Sequence, residues 1–564
     1  MKSLKYILLF IIISLNFSCE DFLVEDNKSN ITAENYFSTS EGYQSLVNAS
    51  YATLRNNFVD DPWLFCLGVD IYTRGKSVLI GGSYENRDVF SSELNEYGNL
   101  DAQNQYVSDF YYRCYQAIQT CNTAISRAKN VNGLNENKIK QLVAEVKFIR
   151  AYNYYLLVEQ FGDVPLVKDE INGAITHFDR IPEEDIYKFI ISELEESEVD
   201  VLATPEQFGK VTKGAVNSLL SLIYLTRGYK SYGSSSDFTM AASLADGVIN
   251  SGKYALLNTF KEVFTPGNEK NNEIIFSIQY DAGSLGTSVR GNGQSVLFGW
   301  ELWLYESGFD WLNTTYNNHE QQFMPTQFLY SLFDTSIDSR YDATFKSEFY
   351  ATINDASKGI NKGDLIVYFP KWDENFTAQD EIDLKAANPN VNIYKYDTWK
   401  QDFNNIGGAG KWPMVWKFFD PNADFHGNNN NRKGTRDIFM FRLSELYLIA
   451  AEAYHMSDDD SKAAERINTV RRRAAIPGNQ SAIEITSADV DLDFILDERA
   501  RELTGEYKRW FDLKRTGKLI ERTLLHNNLA KMEDKMTTTH ILRPIPQSVI
   551  DHDSGEFPQN LGYK

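Results

Sequence analysis

Residues 442–454 read Arg442-Leu-Ser-Glu-Leu-Tyr-Leu-Ile-Ala-Ala-Glu-Ala-Tyr454, and this stretch decides the predicted fold class. Its apolar side chains recur at intervals of three and one, which places a continuous stripe along one face of a helix. Ala450 and Ala451 leave room on that stripe for a second helix to approach. The acidic run 458–460 lacks the glycine and spaced oxygens of a calcium loop and is read as a turn and cap. A second helix then continues toward Arg473, so the segment predicts a helical hairpin.

The same pattern occurs earlier in the chain. Two further pairs of helices are predicted, over about 139–160 with 186–198, and over about 215–225 with 241–249. Gly252 is placed as the C-terminal cap of the last of these helices. Pairs of this size predict an all-α fold of tetratricopeptide-like helical-hairpin repeats. Because no clear hinge interrupts them, we expect one large domain.

Two long insertions between the helical blocks differ in composition. Residues 281–318 contain six glycines and three tryptophans, and residues 351–431 contain four tryptophans. Rings on glycine-rich loops are displayed more often than rings on buried helices. The prediction therefore includes long irregular, aromatic-rich loops. At least one of Trp300, Trp303 and Trp311 is expected to be exposed.

The N-terminus reads as an export signal. Lys2 and Lys5 precede an apolar run from Tyr6 to Ile13. This run is too short to span a bilayer, because a spanning helix needs roughly 20 residues. Leu15-Asn-Phe-Ser-Cys19 resembles the lipobox of bacterial lipoproteins. We expect residues 1–18 to be a signal peptide and Cys19 to carry the lipid, with an ordinary secretory signal as the alternative.

Composition narrows the class of ligand. The 564-residue chain has a net charge of −22, which argues against a nucleic-acid partner because such binding needs Lys and Arg to neutralise phosphates. An uncharged or cationic ligand is favoured. Aromatic residues make up 13% of the chain, which directs the search toward ring platforms.

Three cysteines remain after Cys19. Cys114 and Cys121 lie seven residues apart in a predicted helix, so their Cα atoms are roughly 10 Å apart, too far for a disulfide. Buried thiols are expected. A bridge from Cys66 to either of them stays open at this stage.

No catalytic constellation stands out in the sequence. The seven histidines are scattered, and there is no zinc motif, phosphate fingerprint or nucleophile elbow. Charges in 497–509 stand at helical neighbour positions, Asp497 with Arg501 and Glu506 with Arg509, and structural ion pairing is the preferred interpretation. We therefore expect no catalytic residue, no metal site and no cofactor. A glycoside hydrolase stays as an alternative, because it needs only two carboxylates.

Several motifs resemble the RagB/SusD family of Bacteroidetes surface lipoproteins. The most specific is Asp497-Glu-Arg-Ala-Arg-Glu-Leu-Thr-Gly-Glu506, followed by Arg509-Trp-Phe-Asp-Leu-Lys-Arg-Thr-Gly517. Phe148-Ile-Arg-Ala-Tyr152 with the Phe-Gly-Asp-Val-Pro stretch at 161, the stretch 442–454 and the ending Pro558-Gln-Asn-Leu-Gly-Tyr563 are similar to the family as well. The ordered set runs through nearly the whole chain.

The resemblance implies a fold and a role. Members are lipid-anchored, non-enzymatic binding proteins that cap a SusC-type TonB-dependent transporter and deliver glycans to it, or in some members peptides. We accordingly expect an oligosaccharide ligand, a SusC-like partner and an outer-membrane location facing the cell exterior. The mature domain 19–564 divides into an N-terminal half, 19–230, and a C-terminal half, 270–564. A peptide receptor and a helical-repeat adaptor that binds only protein are the alternatives.

Ligand contacts of the family lie in variable loops, so no binding residue carries over by motif. The resemblance places the ligand loops within 60–105 and 281–318. Sugar binding needs flat aromatic faces against the C–H side of a pyranose, surrounded by polar groups that replace water at the hydroxyls. A core anchor is the alternative for each ring. The candidates are Trp300, Trp303, Tyr305, Trp311, Arg290, Asn292, Trp63, Asp70, Tyr72 and Arg74, with Asp310 and Asn313 nearby.

Overall fold

The computed structural model describes most of the chain after the predicted signal peptide. The described residues are 32–58, 62–75, 78–80, 83–85, 88–281, 291–311, 315–317, 319–396, 411–423 and 434–563. Cys19, Arg290 and Asn313 lie outside these ranges. Within them, none of the helices combines the length and the apolar character needed to cross a membrane.

Helices dominate the described residues. In chain order they are α1 (Ala33–Phe37), α2 (Ser40–Asn56), α3 (Trp63–Cys66), α4 (Val89–Glu96), α5 (Gln105–Arg127), α6 (Glu136–Phe161), α7 (Glu183–Asp200), α8 (Lys213–Gly228), α9 (Ser235–Ile249), α10 (Phe260–Val263), α11 (Gln294–Leu297), α12 (Leu302–Tyr305), α13 (Gln327–Ser331), α14 (Arg340–Thr344), α15 (Ala378–Ala387), α16 (Leu443–His455), α17 (Asp460–Ala474), α18 (Leu492–Leu503), α19 (Arg509–Arg515), α20 (Leu519–His526), α21 (Asn528–Glu533) and α22 (Gln547–His552).

Short strands occur in the connecting segments. They are β1 (Tyr72–Arg74), β2 (Val78–Ile80), β3 (Ser83–Glu85), β4 (Ile274–Ile278), β5 (Phe323–Pro325), β6 (Phe345–Lys346), β7 (Glu348–Tyr350), β8 (Leu365–Tyr368), β9 (Asn392–Ile393), β10 (Met414–Val415) and β11 (Ile438–Arg442).

The long helices stack in sequence order. α5 packs on α6, α6 on α7, and α7 on α8; α8 then packs on α9, α9 on α16, and α16 on α17. This is the predicted series of helical hairpins, and the predicted all-α, tetratricopeptide-like fold is confirmed. The first predicted hairpin is α16 with α17, and Asp459 caps α17 by accepting a hydrogen bond from the Lys462 amide at 3.1 Å. One cap was predicted wrongly: α9 ends at the C-cap Asn250, and Gly252, with φ of 69°, lies two residues beyond it.

Small antiparallel sheets join distant parts of the chain. β1 pairs with β5, with Tyr72 opposite Pro325 and Arg74 opposite Phe323. β4 pairs with β11, which runs directly into α16. The β1–β5 pairing brings the early loop next to the segment that follows residues 291–317. The Tyr72 and Phe298 rings, one from each predicted ligand loop, lie 5.2 Å apart, so the two loops are neighbours in the fold.

One large hydrophobic cluster extends from Tyr43 to Phe557 and includes residues of both halves of the chain. A smaller cluster lies among α16, α17 and α18 and contains Leu448, Ile467 and Ile495. Burial of this much apolar surface is the main force that holds the helices together.

Charged side chains of α18 are buried with partners from across the fold. Glu502 accepts hydrogen bonds from Arg442 Nη1 at 2.6 Å and from Arg340 Nη1 at 3.1 Å. Glu498 accepts from Arg340 Nη1 at 2.7 Å. We call the connected set the buried ion network; its members are Glu273, Asp338, Arg340, Lys417, Arg442, Arg471, Arg473, Glu498, Arg501, Glu502 and Glu506.

The network confirms that these charges are structural but corrects their predicted partners. Glu506 binds Arg442 at 2.8 Å and Lys417 at 2.7 Å, whereas Arg509 binds Asp70. Arg501 binds Glu498 at 2.9 Å, and Asp497 binds Arg522. The predicted pairs were wrong because residues from other elements lie closer to these carboxylates than their neighbours along the helix do.

The three cysteines of the body are buried, and none of them forms a disulfide with another described residue. Burial raises the pKa of the Cys121 thiol to about 12, with small opposing effects from Arg150 and Ser50. The bridge from Cys66 that the sequence left open is therefore not formed.

Candidate functional site

Among the described residues of the predicted ligand loops, the most exposed aromatic side chain lies close to α12 in the chain. Trp311 is 51% exposed, and the neighbouring Leu304 is 52% exposed. The Trp303 and Trp311 rings meet edge to face, with centroids 5.9 Å apart and planes at 78°. We call Trp303, Leu304 and Trp311 the tryptophan ledge. Trp311 meets the expectation that at least one of the three tryptophans is exposed.

Two anchored positions hold the backbone of the ledge. Trp300 is fully buried, and its Nε1 donates a hydrogen bond to the Trp412 carbonyl at 2.9 Å. After α12 the chain turns at Gly308, whose φ of 86° favours glycine. The Gly308 carbonyl accepts hydrogen bonds from the amides of Thr352 at 2.8 Å and Ile353 at 3.1 Å. The ledge is therefore anchored before Trp303, at Trp300, and again between Leu304 and Trp311, at Gly308.

A cluster of hydrogen bonds around the Glu306 carboxylate supports the end of α12. Glu306 Oε1 accepts from Lys411 Nζ at 2.6 Å and from the Tyr394 hydroxyl at 2.7 Å. Its Oε2 accepts from Asn392 Nδ2 at 2.7 Å. All of these groups come from the second insertion, so the two aromatic-rich insertions brace each other. The partly buried Tyr305 lies beside this cluster, 6.5 Å from the Trp300 ring.

The early loop contributes a cavity. Trp63 stacks on Tyr106 at 4.9 Å with an interplanar angle of 12°, and its ring edge meets Phe323 of β5. Both rings line a cavity of about 240 Å³ together with Asp109 and Arg113. We call Trp63, Tyr106, Asp109 and Arg113 the Trp63 cavity. Tyr106 lies one residue beyond the predicted 60–105 interval; it is the second residue of α5, and only its stacking on Trp63 identifies it.

Three other candidates of the early loop are scaffold residues in this structure. Asp70 is fully buried and accepts from Arg509 Nε at 2.7 Å and Arg522 Nε at 3.0 Å. Burial alone would raise the pKa of Asp70, but the two arginines outweigh it and hold the pKa below its ordinary value. Tyr72 is buried in β1, and Arg74 is paired with Glu96. Their burial corrects the expectation that they face a ligand.

Of the remaining candidates, some are buried in the protein and others are exposed. Asn292 is buried, and its Nδ2 donates to the Arg436 carbonyl at 3.0 Å, which makes it a loop anchor. Trp300 is a core anchor as described above. Asp310 is exposed next to Trp311. The structure therefore brings Trp303 and Trp311 together, with Asp310 next to Trp311 in the chain. The Tyr305 ring lies near Trp300 instead, and Trp63 lines a cavity of its own.

A larger apolar groove was not predicted. It has a volume of about 370 Å³, lies between α5, the segment after α6 and α22, and includes the exposed side chains of Tyr112 and Ile175. Among the residues that the structure describes, no group of three or more His, Cys, Asp or Glu side chains is arranged to hold a metal ion.

Comparisons with known proteins identify the fold family. A model described as the SusD family matches residues 272–563, and a model described as "Starch-binding associating with outer membrane" matches residues 72–225. The chain is 28% identical over 577 residues to SusD-like protein P2 of Formosa agariphila, an alignment that covers 99% of this chain and 100% of the relative.

Two further proteins are similar over most of their length. The chain is 26% identical over 458 residues to the starch-binding protein SusD of Bacteroides thetaiotaomicron, covering 77% of this chain and 74% of that protein. A solved laminarin binding SusD-like protein superposes with a TM-score of 0.68 at 19% identity, covering 93% of this chain and 100% of the other. The resemblance seen in the sequence is confirmed, and this chain belongs to the SusD family.

Proposed function

We propose that this protein is a non-enzymatic glycan-binding protein of the outer-membrane surface and that it captures oligosaccharides at the tryptophan ledge. The observation that carries the proposal is the half-exposed indole of Trp311, held against Trp303 on a loop with buried anchors. An indole face covers the apolar C–H side of a pyranose, and neighbouring polar groups such as Asp310 accept hydrogen bonds from its hydroxyls.

The charge of the chain favours a neutral ligand. At a net charge of −22, an anionic polysaccharide would be repelled over the distance of a Debye length. Two relatives are named for starch binding and laminarin binding, so oligosaccharides of these two polysaccharides are the first ligands to test.

The Trp63 cavity is our proposed second contact on the same ligand. Its aromatic stack adjoins Phe323, which follows the ledge loop in the chain. Asp109 and Arg113 line this cavity and add a carboxylate and a guanidinium, whereas the polar residue next to Trp311 of the ledge is Asp310. A glycan long enough to reach both would gain from two linked contacts.

We further propose that Cys19 carries the lipid anchor and that the body delivers its ligand to a SusC-type TonB-dependent transporter. The family membership and the lipobox-like sequence support this part. A lipid at Cys19 would keep the binding protein beside its transporter.

Isothermal titration of the purified protein against starch and laminarin oligosaccharides tests the proposal. We expect saturable binding that falls in Trp311→Ala and is unchanged in Tyr36→Ala, a control that removes an exposed ring on α1. No heat with any glycan, together with binding of peptides, would refute the sugar assignment. Release of shorter sugars over time would establish a glycoside hydrolase instead.

A further inference from the structure

Arg543 differs from every other buried arginine of the described structure. Eleven arginines are buried there, and ten of them have a carboxylate within 4.0 Å. Arg543 is fully buried and has none, and its Nε, Nη1 and Nη2 have no hydrogen-bond partner among the described residues. A buried charge without a partner is costly, so this site needs an explanation.

Aromatic rings compensate for only part of this cost. The guanidinium carbon lies 5.3 Å from the Tyr97 ring centroid and 5.1 Å from the Trp510 ring centroid. Ring faces attract a cation, but they accept no conventional hydrogen bond from its N–H groups. Among the residues that the structure describes, the N–H donors of the guanidinium therefore have no oxygen acceptor.

Two neighbours of Arg543 add further donors. The Arg543 amide donates to the Gln160 carbonyl at 2.7 Å, which places these residues side by side. Gln160 Nε2 and Trp510 Nε1 are also buried without a partner. Among the side chains of Arg543, Gln160 and Trp510, the one unpartnered acceptor is Gln160 Oε1. Unpartnered donors on a buried cation and on two residues beside it are the groups that a buried anion would satisfy.

The nearby acidic side chains form ion pairs with lysines. Glu159 precedes Gln160 and is shared between Lys230 at 2.7 Å and Lys514 at 3.3 Å. Lys230 also binds Glu183 at 2.6 Å. Burial, together with the charge of Arg543, lowers the pKa of His540 to about 4, so this neighbour is neutral at pH 7. The positive charge of Arg543 is therefore not balanced by its surroundings.

We propose that Arg543, Gln160 and Trp510 bind a small monovalent anion such as chloride. The guanidinium is fully buried and lies over two rings, so the site favours a single ion over a bulky oxyanion. Asn560 Nδ2 donates to the Arg543 carbonyl at 2.8 Å and to the Phe161 carbonyl at 2.9 Å. The ion would thus fasten the C-terminal segment to the end of α6. This role is independent of glycan binding.

Anomalous diffraction from crystals of the protein grown in bromide tests the site directly. We expect one bromide peak in contact with the Arg543 guanidinium. Water density alone at this position, or no density, would overturn the proposal.

Thermal unfolding in chloride against gluconate at constant ionic strength provides a second test. The wild-type midpoint should rise with chloride and saturate, and Arg543→Met should show no response. Trp510→Phe keeps the ring but removes one donor, so its half-saturating chloride concentration should rise about tenfold. Arg55→Met is the control, because Arg55 also lies over a ring, that of Tyr280, but outside this cluster. An equal chloride response in Arg543→Met and wild type would refute the site.

Discussion

Replacing Trp311 with alanine is expected to weaken glycan binding about tenfold without unfolding the protein. A tryptophan offers at most about 250 Å² for burial. With 51% of Trp311 exposed, roughly 125 Å² is available, and a pyranose on one face covers about half of it. At about 25 cal/mol per Å² the lost contact is worth about 1.5 kcal/mol, which is slightly more than tenfold in Kd.

The assay is isothermal titration of wild type and Trp311→Ala with the same oligosaccharide, with thermal unfolding of both as the folding control. Exposed positions typically change stability by less than about 0.5 kcal/mol, so the two unfolding curves should nearly coincide. Trp303→Ala should also weaken binding, because Trp303 orients the Trp311 ring. If folded Trp311→Ala binds within twofold of wild type, the ledge is not the sugar platform.

Three further predictions concern stability and location. Trp300→Ala should lower the free energy of unfolding by about 3–5 kcal/mol in a denaturant titration, because it removes a buried ring and its bond to Trp412; a loss below about 1 kcal/mol would contradict the anchor role. Burial raises the pKa of Asp437 to about 6, so the folded protein favours the protonated carboxyl group. This preference contributes about 3 kcal/mol to the free energy of unfolding below pH ~4, and the contribution is lost as the pH rises through 6. Relative to Asp437→Asn, wild type should therefore lose stability between pH 4 and 7, and a pH-independent difference would argue against this shift. Cys19→Ala should abolish retention at the cell surface, measured by fractionation, while the purified body binds glycan unchanged; retention of the variant would refute lipid anchoring.

Local sequence pattern was sufficient for the helical body. The stripe at 442–454 became α16 within one residue at either end, because its burial depends on a period that the sequence displays. Ion pairing in 497–509 was predicted in kind but not in detail. Glu506 binds Arg442, which lies 64 residues away, and helical spacing contains no information about such a partner.

Ring exposure was harder to predict than the helices. Trp300 and Trp311 lie on the same glycine-containing loop, yet one is a core anchor and the other is half exposed. The difference depends on the Trp412 carbonyl, 112 residues away in the chain, which accepts the Trp300 hydrogen bond. Asp70 and Arg74 were likewise placed in a ligand loop, although their charges are taken up by partners within the protein.

The residues of the ledge take no part in the ion pairs that hold the C-terminal helices together. Residues 300–311 lie in the chain between Glu273 and Arg340, two members of the network, but none of the network's ion pairs among the described residues involves them. The ion pairs between the C-terminal helices therefore do not depend on which side chains stand in the ledge. The side chains at 303, 304 and 311 can therefore change while the ion pairs that join the C-terminal helices stay the same.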